Sequence, residues 1–414
     1  MVRIKPERRA LLAHLAEQYG TPLYVYDAQV IRAQRELLRN FDTVRFAQKA
    51  CSNIHILRLL RQAGTQVDCV SQGELERAVR AGFENSPERS EIVFTADILP
   101  REVLRRVLEL NVPVNAGSED MLEQLGRANP GHPVWIRVNP GFGHGHSKKT
   151  NTGGESSKHG IWHENLPQAL AIIDRYKLDL VGLHTHIGSG ADIDHLSRVC
   201  DAMVGIVRGL GRDIRAVSGG GGLSIPYRGS EPTVDTAAYY QRWDAARKQM
   251  EGFLGHPLHL EIEPGRFLTA QAGVLLAEVM ATKTSGRNRY TLVDAGFNDL
   301  LRPAMYGAWH EIEVLPRSEQ SDREAVDTAV AGPLCESGDM FTQSQSGDVM
   351  LRALPRAHVG DLLAFLDAGA YGASMSSNYN TRPLAAEVLI DGDSYQLIRR
   401  RQSIDDLLAL EDIG

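Results

Sequence analysis

Short apolar runs punctuate the first two thirds of the chain at Val44–Ala47, Val67–Val70, Ile92–Phe94, Val112–Asn115, Val134–Val138, Leu180–Leu183, Ala216–Val217 and Leu258–Ile262. Between most of them the apolar positions recur at helical spacing, over Ile54–Gln62, Gly73–Ala81, Arg101–Leu110, Glu119–Arg127, Leu166–Tyr176, Leu196–Leu210 and Ala237–Phe253. Strands that alternate with helices predict parallel strands joined by helical crossovers. Eight such strands within about 220 residues suit an α/β fold closed into a (β/α)8 TIM barrel better than an open sheet. Ahead of this rhythm, residues 4–20 pattern as a helix that stops at Gly20, and Leu23–Tyr26 reads as a short strand.

Beyond Lys283 the pattern changes. Tyr290–Asp294, Val326–Ala331, Leu362–Leu366, Glu387–Ile390 and Ser394–Arg400 are strand-like and lack long helices between them. Asp391-Gly392-Asp393 marks the last pair as a hairpin. A second, all-β domain is expected here, joined by the N-terminal strand. The division is then 26–280 for the barrel, with 1–25 and 281–414 for the β-rich part. Ser403 is placed to cap a short helix running to Leu410.

The polar positions sharpen the barrel reading. Lys49, Asp68, Asn115, Asn139, His184, His186, Gly220–Gly222 and Glu263 fall at or near the C-terminal ends of successive strands, the face on which barrel enzymes build their sites. Any one of them could belong to a solvated loop, but a single loop does not explain the repetition.

Composition adds limits. The chain has 414 residues, 43% hydrophobic and 23% charged, with a formal net charge of −7. That balance is ordinary for a globular protein and argues against nucleic acid or an anionic membrane as the main partner. No window approaches the ~20 apolar residues of a membrane span, and the N-terminus lacks the apolar core of a signal peptide. Cys51, Cys69, Cys200 and Cys335 are far apart with no CxxC spacing, which fits reduced thiols and a cytoplasmic location.

Four stretches carry candidate chemistry. Phe46-Ala-Gln-Lys49 ends an apolar run in a lysine, where desolvation lowers an amine's pKa and makes it a nucleophile for carbonyls; a lysine reaching solvent has the same sequence. His184-Thr-His186 puts two imidazoles on one face of a strand, and His144-Gly-His146 repeats the spacing. A zinc hydrolase is thus a competing reading, weakened because the remaining acids do not complete a ligand set. Gly219–Gly222 allows close backbone approach to a phosphate, yet it lacks the last glycine of GxGxxG and any following Gly-Lys-Ser/Thr. Glu261-Ile-Glu263-Pro-Gly265-Arg266 closes the eighth strand with a carboxylate suited to a heterocyclic nitrogen and an arginine suited to phosphate or carboxylate.

Lysine, histidine pair, glycine run and Glu-Pro-Gly-Arg, in that order, resemble the alanine-racemase-fold (fold-type III) pyridoxal phosphate decarboxylases. Gly332-Pro-Leu-Cys335-Glu336-Ser-Gly338-Asp and Asp367-Ala-Gly-Ala-Tyr371-Gly look like the paired motifs of the diaminopimelate-acting branch, and the resemblance runs from about Leu23 to Arg400. It implies that Lys49 carries pyridoxal 5'-phosphate as an internal aldimine and that His186 stacks on its ring. Glu263 would face the ring nitrogen, and Ser189, Gly220, Gly221, Gly222, Gly265, Arg266 and Tyr371 would hold or flank the phosphate. Cys335 would return a proton to the substrate's α-carbon. Arg266, Arg302, Tyr306 and Tyr371 would grip a distal carboxylate, and Glu336 the distal ammonium, of meso-2,6-diaminopimelate. Its loss of carbon dioxide yields L-lysine.

The resemblance further implies a homodimer with a shared active site and a loop within 141–160 that closes over substrate. An ornithine or arginine decarboxylase and a catalytically silent relative remain as alternatives. The intact Lys49, Glu263 and Cys335 stand against silence, and the two arginines against ornithine. Cys51-Ser52, His159 and Ser224 depart from the family pattern, in which Asn, Phe and Gly are common.

Overall fold

In the computed structural model, residues 4–86, 90–143, 152–186, 188, 193–317 and 323–411 are described. They form two compact units. One comprises Arg32–Ser224 and Val234–Leu268; the other comprises Met1–Ile31, Ile225–Thr233 and Thr269–Gly414.

The first unit is a closed parallel barrel of eight strands. They are β1 (Thr43–Ala47), β2 (Gln66–Cys69), β3 (Ile92–Ala96), β4 (Val114–Ala116), β5 (Pro133–Asn139), β6 (Asp179–His184), β7 (Ala216–Ser218) and β8 (His259–Ile262). Each pairs in parallel with the next, and β8 pairs with β1, at Ile262↔Val44, to close the ring. All eight apolar runs of the sequence are strands, and all seven intervening helices form. Helix starts follow from local chemistry: Asn53, Ser71, Ser118 and Asp235 each accept a backbone N–H of the first turn on their side chains.

Both strand faces are buried, which is why the strands read as near-continuous apolar runs. Val44, Phe46, Val67, Phe94, Ile136, Leu183, Val217 and Ile262 form the alternate set that faces the helices, each at most 2% exposed. Burying each such side chain contributes about 1.5–3 kcal/mol. The other set faces the barrel axis and is largely polar: Arg45, Asp68, Thr95, Asn115, Arg137, His184, Ser218, Glu261 and Glu263, all buried. Trp135 packs with Val93 and Ala216 as a small apolar plug. Gly182 is required beside it, because a Cβ there would lie 2.8 Å from the Trp135 ring.

The second unit is built on a mixed sheet ordered Arg352–Pro355, Ala325–Ala331, Asn288–Val293, Gly273–Ser285, Leu23–Asp27, Ala386–Asp391 and Ser394–Arg399. Leu362–Phe365 pairs with Gly273–Ser285 and with Ile312–Leu315. The N-terminal strand thus sits inside this sheet, antiparallel to one neighbour and parallel to the other. Leu23, Val25, Leu276, Ala364, Val388 and Ile390 pack with Leu12 and Leu15 of helix Pro6–Tyr19 as its core. The final hairpin turns at Gly392, whose positive φ of 62° favours glycine. Ser403 caps helix Ile404–Leu408 in a capping box with Asp406.

Candidate functional site

Lys49 lies just beyond β1 rather than at its last residue. The strand closes at Ala47, and one 3-10 turn, Gln48–Ala50, carries the lysine with its side chain exposed. The turn is anchored from beneath: the buried Gln48 amide donates to the Cys69 sulfur at 3.3 Å and to the Glu74 carbonyl at 3.0 Å. It is also approached closely by the end of β8, since a Cβ on Gly265 would stand 3.0 Å from Cβ of Ala50.

Inside the barrel three adjacent strand ends converge on one carboxylate. His184 Nε2 donates to Glu263 Oε2 at 2.7 Å, and Ser218 Oγ donates to Oε1 at 3.3 Å. Burial alone would raise the Glu263 pKa, but the attraction and hydrogen bond of His184, with Arg45 and Arg137 beyond, hold it below the ordinary carboxylate value. Asp68 behaves oppositely. Burial and then the negative charge of Glu263 push its carboxyl well above the ordinary value, against a hydrogen bond from Thr95 and the charge of Lys49. Two carboxylates on one barrel are thereby driven apart, one ionised and one inclined to hold a proton. Deeper still, Arg45 forms a bidentate pair with Glu261, with both residues 5% exposed and contacts of 2.6 and 3.0 Å.

His186 follows β6. Burial and then the positive charges of Lys49, Arg137 and His184 depress its pKa well below the usual histidine value. Its ring is therefore neutral. Nδ1 accepts the Gly221 N–H at 3.1 Å, which places the ring proton on Nε2. The two histidines of the His-x-His pair thus serve separate partners. Among the described residues no group of three His, Cys, Asp or Glu side chains could hold a metal ion, and His144 and His146 lie outside the described residues.

The glycine run is packed against backbone. A Cβ on Gly220, whose φ is 61°, would meet the Thr185 carbonyl at 2.3 Å, and one on Gly221 would meet the Glu263 carbonyl at 2.7 Å. The first N–H groups of the run have protein acceptors: Gly219 donates to the Glu261 carbonyl, Gly220 to Ser218 Oγ and Gly221 to His186. Gly222 follows at φ 120°. Arg266, half-buried, opens the short helix Arg266–Thr269. Ser189 lies outside the described residues. His159 bonds Asp97 through Nδ1, and Gly160 donates its N–H to the same carboxylate at 3.0 Å.

The remaining candidates belong to the second unit. Arg302 is buried; its Nη1 donates to His310 Nε2 at 2.9 Å, and its guanidinium lies 4.6 Å from the Tyr227 ring centre. Tyr306 ends the same short helix, Arg302–Tyr306. Cys335 and Glu336 are exposed on a turn that Asp339 organises by accepting the N–H groups of Leu334 and Phe297. Asn380 Oδ1 accepts the Cys335 N–H at 3.0 Å. Tyr371 sits at a positive φ of 57°, next to Gly372, where a Cβ would clash with the Ala368 carbonyl at 2.5 Å.

Ser218, Arg45 and Arg137 were not singled out from the sequence. An arginine inside an apolar strand is a signal for the latter two, because burial demands a partner. A serine ahead of a glycine run carries no such signal.

Residues 27–270 match the pyridoxal binding domain of the pyridoxal-dependent decarboxylases. The chain is similar to the diaminopimelate decarboxylase of Streptomyces coelicolor, 62% identical over 97% of this chain and 91% of that one. It is 60% identical to that of Escherichia coli K12, over 97% and 96%. A crystal structure of a diaminopimelate decarboxylase aligns with a TM-score of 0.95 at 58% identity, covering 98% of this chain and 97% of the other.

Proposed function

From the premise that the chain belongs to the fold-type III pyridoxal-dependent decarboxylases, and within them to the diaminopimelate decarboxylases, we propose that it converts meso-2,6-diaminopimelate to L-lysine and carbon dioxide, the last step of lysine biosynthesis. The residues present fit pyridoxal 5'-phosphate. An amine at Lys49, a neutral imidazole at His186, an ionised carboxylate at Glu263 and a backbone-packed glycine run share the barrel. The buried Oδ1 of Asp68 has no partner among the described residues. Bound there, the cofactor supplies an electron sink for the electron pair left when the carboxylate departs.

The chain's own groups do the rest. Lys49 would hold the cofactor covalently through its amine. Glu263 would keep a proton on the ring nitrogen, and His186 would pack against the ring. Ser189, Gly220, Gly221, Gly222, Gly265, Arg266 and Tyr371 hold or flank the phosphate. The Cys335 thiol would return a proton to the α-carbon, since an S–H group can act as a general acid.

Arg266, Arg302, Tyr306 and Tyr371 grip the distal carboxylate, and Glu336 the distal ammonium. The barrel unit, Arg32–Ser224 with Val234–Leu268, carries Lys49, His186, Glu263 and Arg266, and the β-rich unit supplies Arg302, Tyr306, Cys335, Glu336 and Tyr371. The exposure of Cys335 and Glu336 supports a homodimer in which this pair serves the partner's barrel. No helix among the described residues is long and apolar enough to cross a membrane, and a cytoplasmic enzyme fits the reaction.

The observation that carries this reading is the buried Glu263, kept ionised by His184 on the barrel that bears Lys49. Purified protein with pyridoxal phosphate should release carbon dioxide from meso-diaminopimelate far faster than from lysine, ornithine or arginine. Comparable rates on ornithine would reject the substrate assignment, and colourless, inactive protein would reject the enzyme.

A further inference from the structure

Glu263 is held by a device that the cofactor reading alone does not require. β6, β7 and β8 are neighbours, with His184 in register with Ser218 and Ser218 with Glu261. Each strand end turns one polar side chain inward, and two of the three bond the third. His184 is 1% exposed, and its Nδ1 has no partner among the described residues, while its Nε2 donates to Glu263 Oε2. Ser218 Oγ accepts the Gly220 N–H at 3.2 Å and donates to Glu263 Oε1. The Glu263 N–H returns to the Gly220 carbonyl at 2.8 Å. The carboxylate and the glycine run are therefore parts of one hydrogen-bonded ring. A glutamate with three rotatable bonds, left alone in an open barrel, would sample several rotamers.

We propose that His184 is a positioning residue: with Ser218 on the other oxygen, it fixes the Glu263 carboxylate in the one rotamer that meets the cofactor's ring nitrogen. This rests on the reading that Glu263 faces that nitrogen. In this role His184 acts through Glu263 rather than on cofactor or substrate. The zinc reading of the His-x-His pair is replaced by a division of labour in which His186 serves the ring face and His184 the ring's carboxylate partner.

The test uses the full-length protein, with His184→Phe, His184→Gln and Glu263→Gln. In the cofactor-free wild type, nitrogen NMR of His184 should show a proton on Nε2 whose signal shifts in Glu263→Gln; an unprotonated Nε2 would overturn the proposal whether or not the variants fold. In the loaded enzyme, His184→Phe should lower kcat about 10-fold to 100-fold, as is common for groups that hold a functional ligand in place. KM should stay within about twofold, because no substrate contact is lost. The pH at which the bound cofactor's visible absorbance changes should move in the same direction as in Glu263→Gln, with partial return in His184→Gln. If Glu263→Gln alters absorbance and kcat while His184→Phe matches wild type in both, the positioning role is wrong and the Glu263 reading stands. If Glu263→Gln itself leaves the absorbance unchanged, the Glu263 reading fails and takes this one with it.

Discussion

The barrel and the β-rich unit hold their candidate groups in opposite ways. In the barrel interior, buried charged residues answer one another: Arg45 with Glu261, His184 with Glu263, Asp68 pushed toward its protonated form by burial and then by the charge of Glu263. In the β-rich unit, Cys335 and Glu336 stand exposed on a turn whose backbone, rather than whose side chains, is fixed by Asp339 and Asn380. One region tunes protonation by excluding water. The other presents a thiol and a carboxylate on a shaped loop, as suits groups offered to a second surface. A cofactor needs the first environment, because charges are strong only where water is excluded. A thiol offered to a second surface does not.

The comparison breaks most sharply at Lys49. Lys49→Ala should lower turnover by roughly four orders of magnitude or more, as loss of a covalent nucleophile does, and should abolish the visible absorbance of bound cofactor. Cys335→Ala should keep that absorbance while turnover falls about 10²-fold to 10⁴-fold, the usual worth of a positioned proton donor. Full activity in Cys335→Ala would remove the donor assignment.

Next in size is the buried pair at the barrel's interior. Arg45→Met leaves Glu261 buried without its bidentate partner and should destabilise the protein by about 3–5 kcal/mol, read by denaturant unfolding. An exposed pair such as Arg39–Glu36 should contribute under about 1 kcal/mol.

A pH-dependent effect lies in the β-rich unit. Burial raises the Asp299 pKa to about 6, although its carboxylate accepts the Gly296 N–H. An acid whose folded pKa lies above its unfolded value binds its proton more tightly when folded. Its contribution is complete below the unfolded value near 4 and is lost as pH rises through about 6, an amount of at most about 3 kcal/mol. Asp299→Asn keeps the acceptor and removes the titration. Relative to wild type it should gain stability between pH 4 and 7, measured as the difference in melting temperature; parallel curves would show that Asp299 does not titrate in this range.

The barrel was legible because its rule is simple. Every strand is apolar on the helix-facing side, every crossover carries a helix, and site residues sit at or just beyond strand ends. The β-rich unit was harder. Its longest strand, Gly273–Ser285, contains Leu275, Leu276, Ala277, Glu278, Met280 and Ala281, all good helix formers, and shows no alternation. It is a strand because Leu23–Asp27 and Asn288–Val293 pair with it on one side or the other and Leu362–Phe365 pairs with it as well, so tertiary pairing overrides local preference. Ile312–Leu315 and Arg352–Pro355 are four residues each, too short to show a period. At the site, the identities of Lys49, His186 and Glu263 came from motifs, whereas Ser218 and the partner of His184 emerge only when three strand ends are brought into register.

The most direct test of this division mixes Lys49→Ala with Cys335→Ala under conditions that allow subunits to exchange. If one protomer's Cys335 serves its partner's barrel, random pairing yields a dimer with one intact site in half of the molecules. Activity on meso-diaminopimelate should then recover to about one quarter of wild type. Activity that stays at the sum of the two separate variants would contradict the shared site.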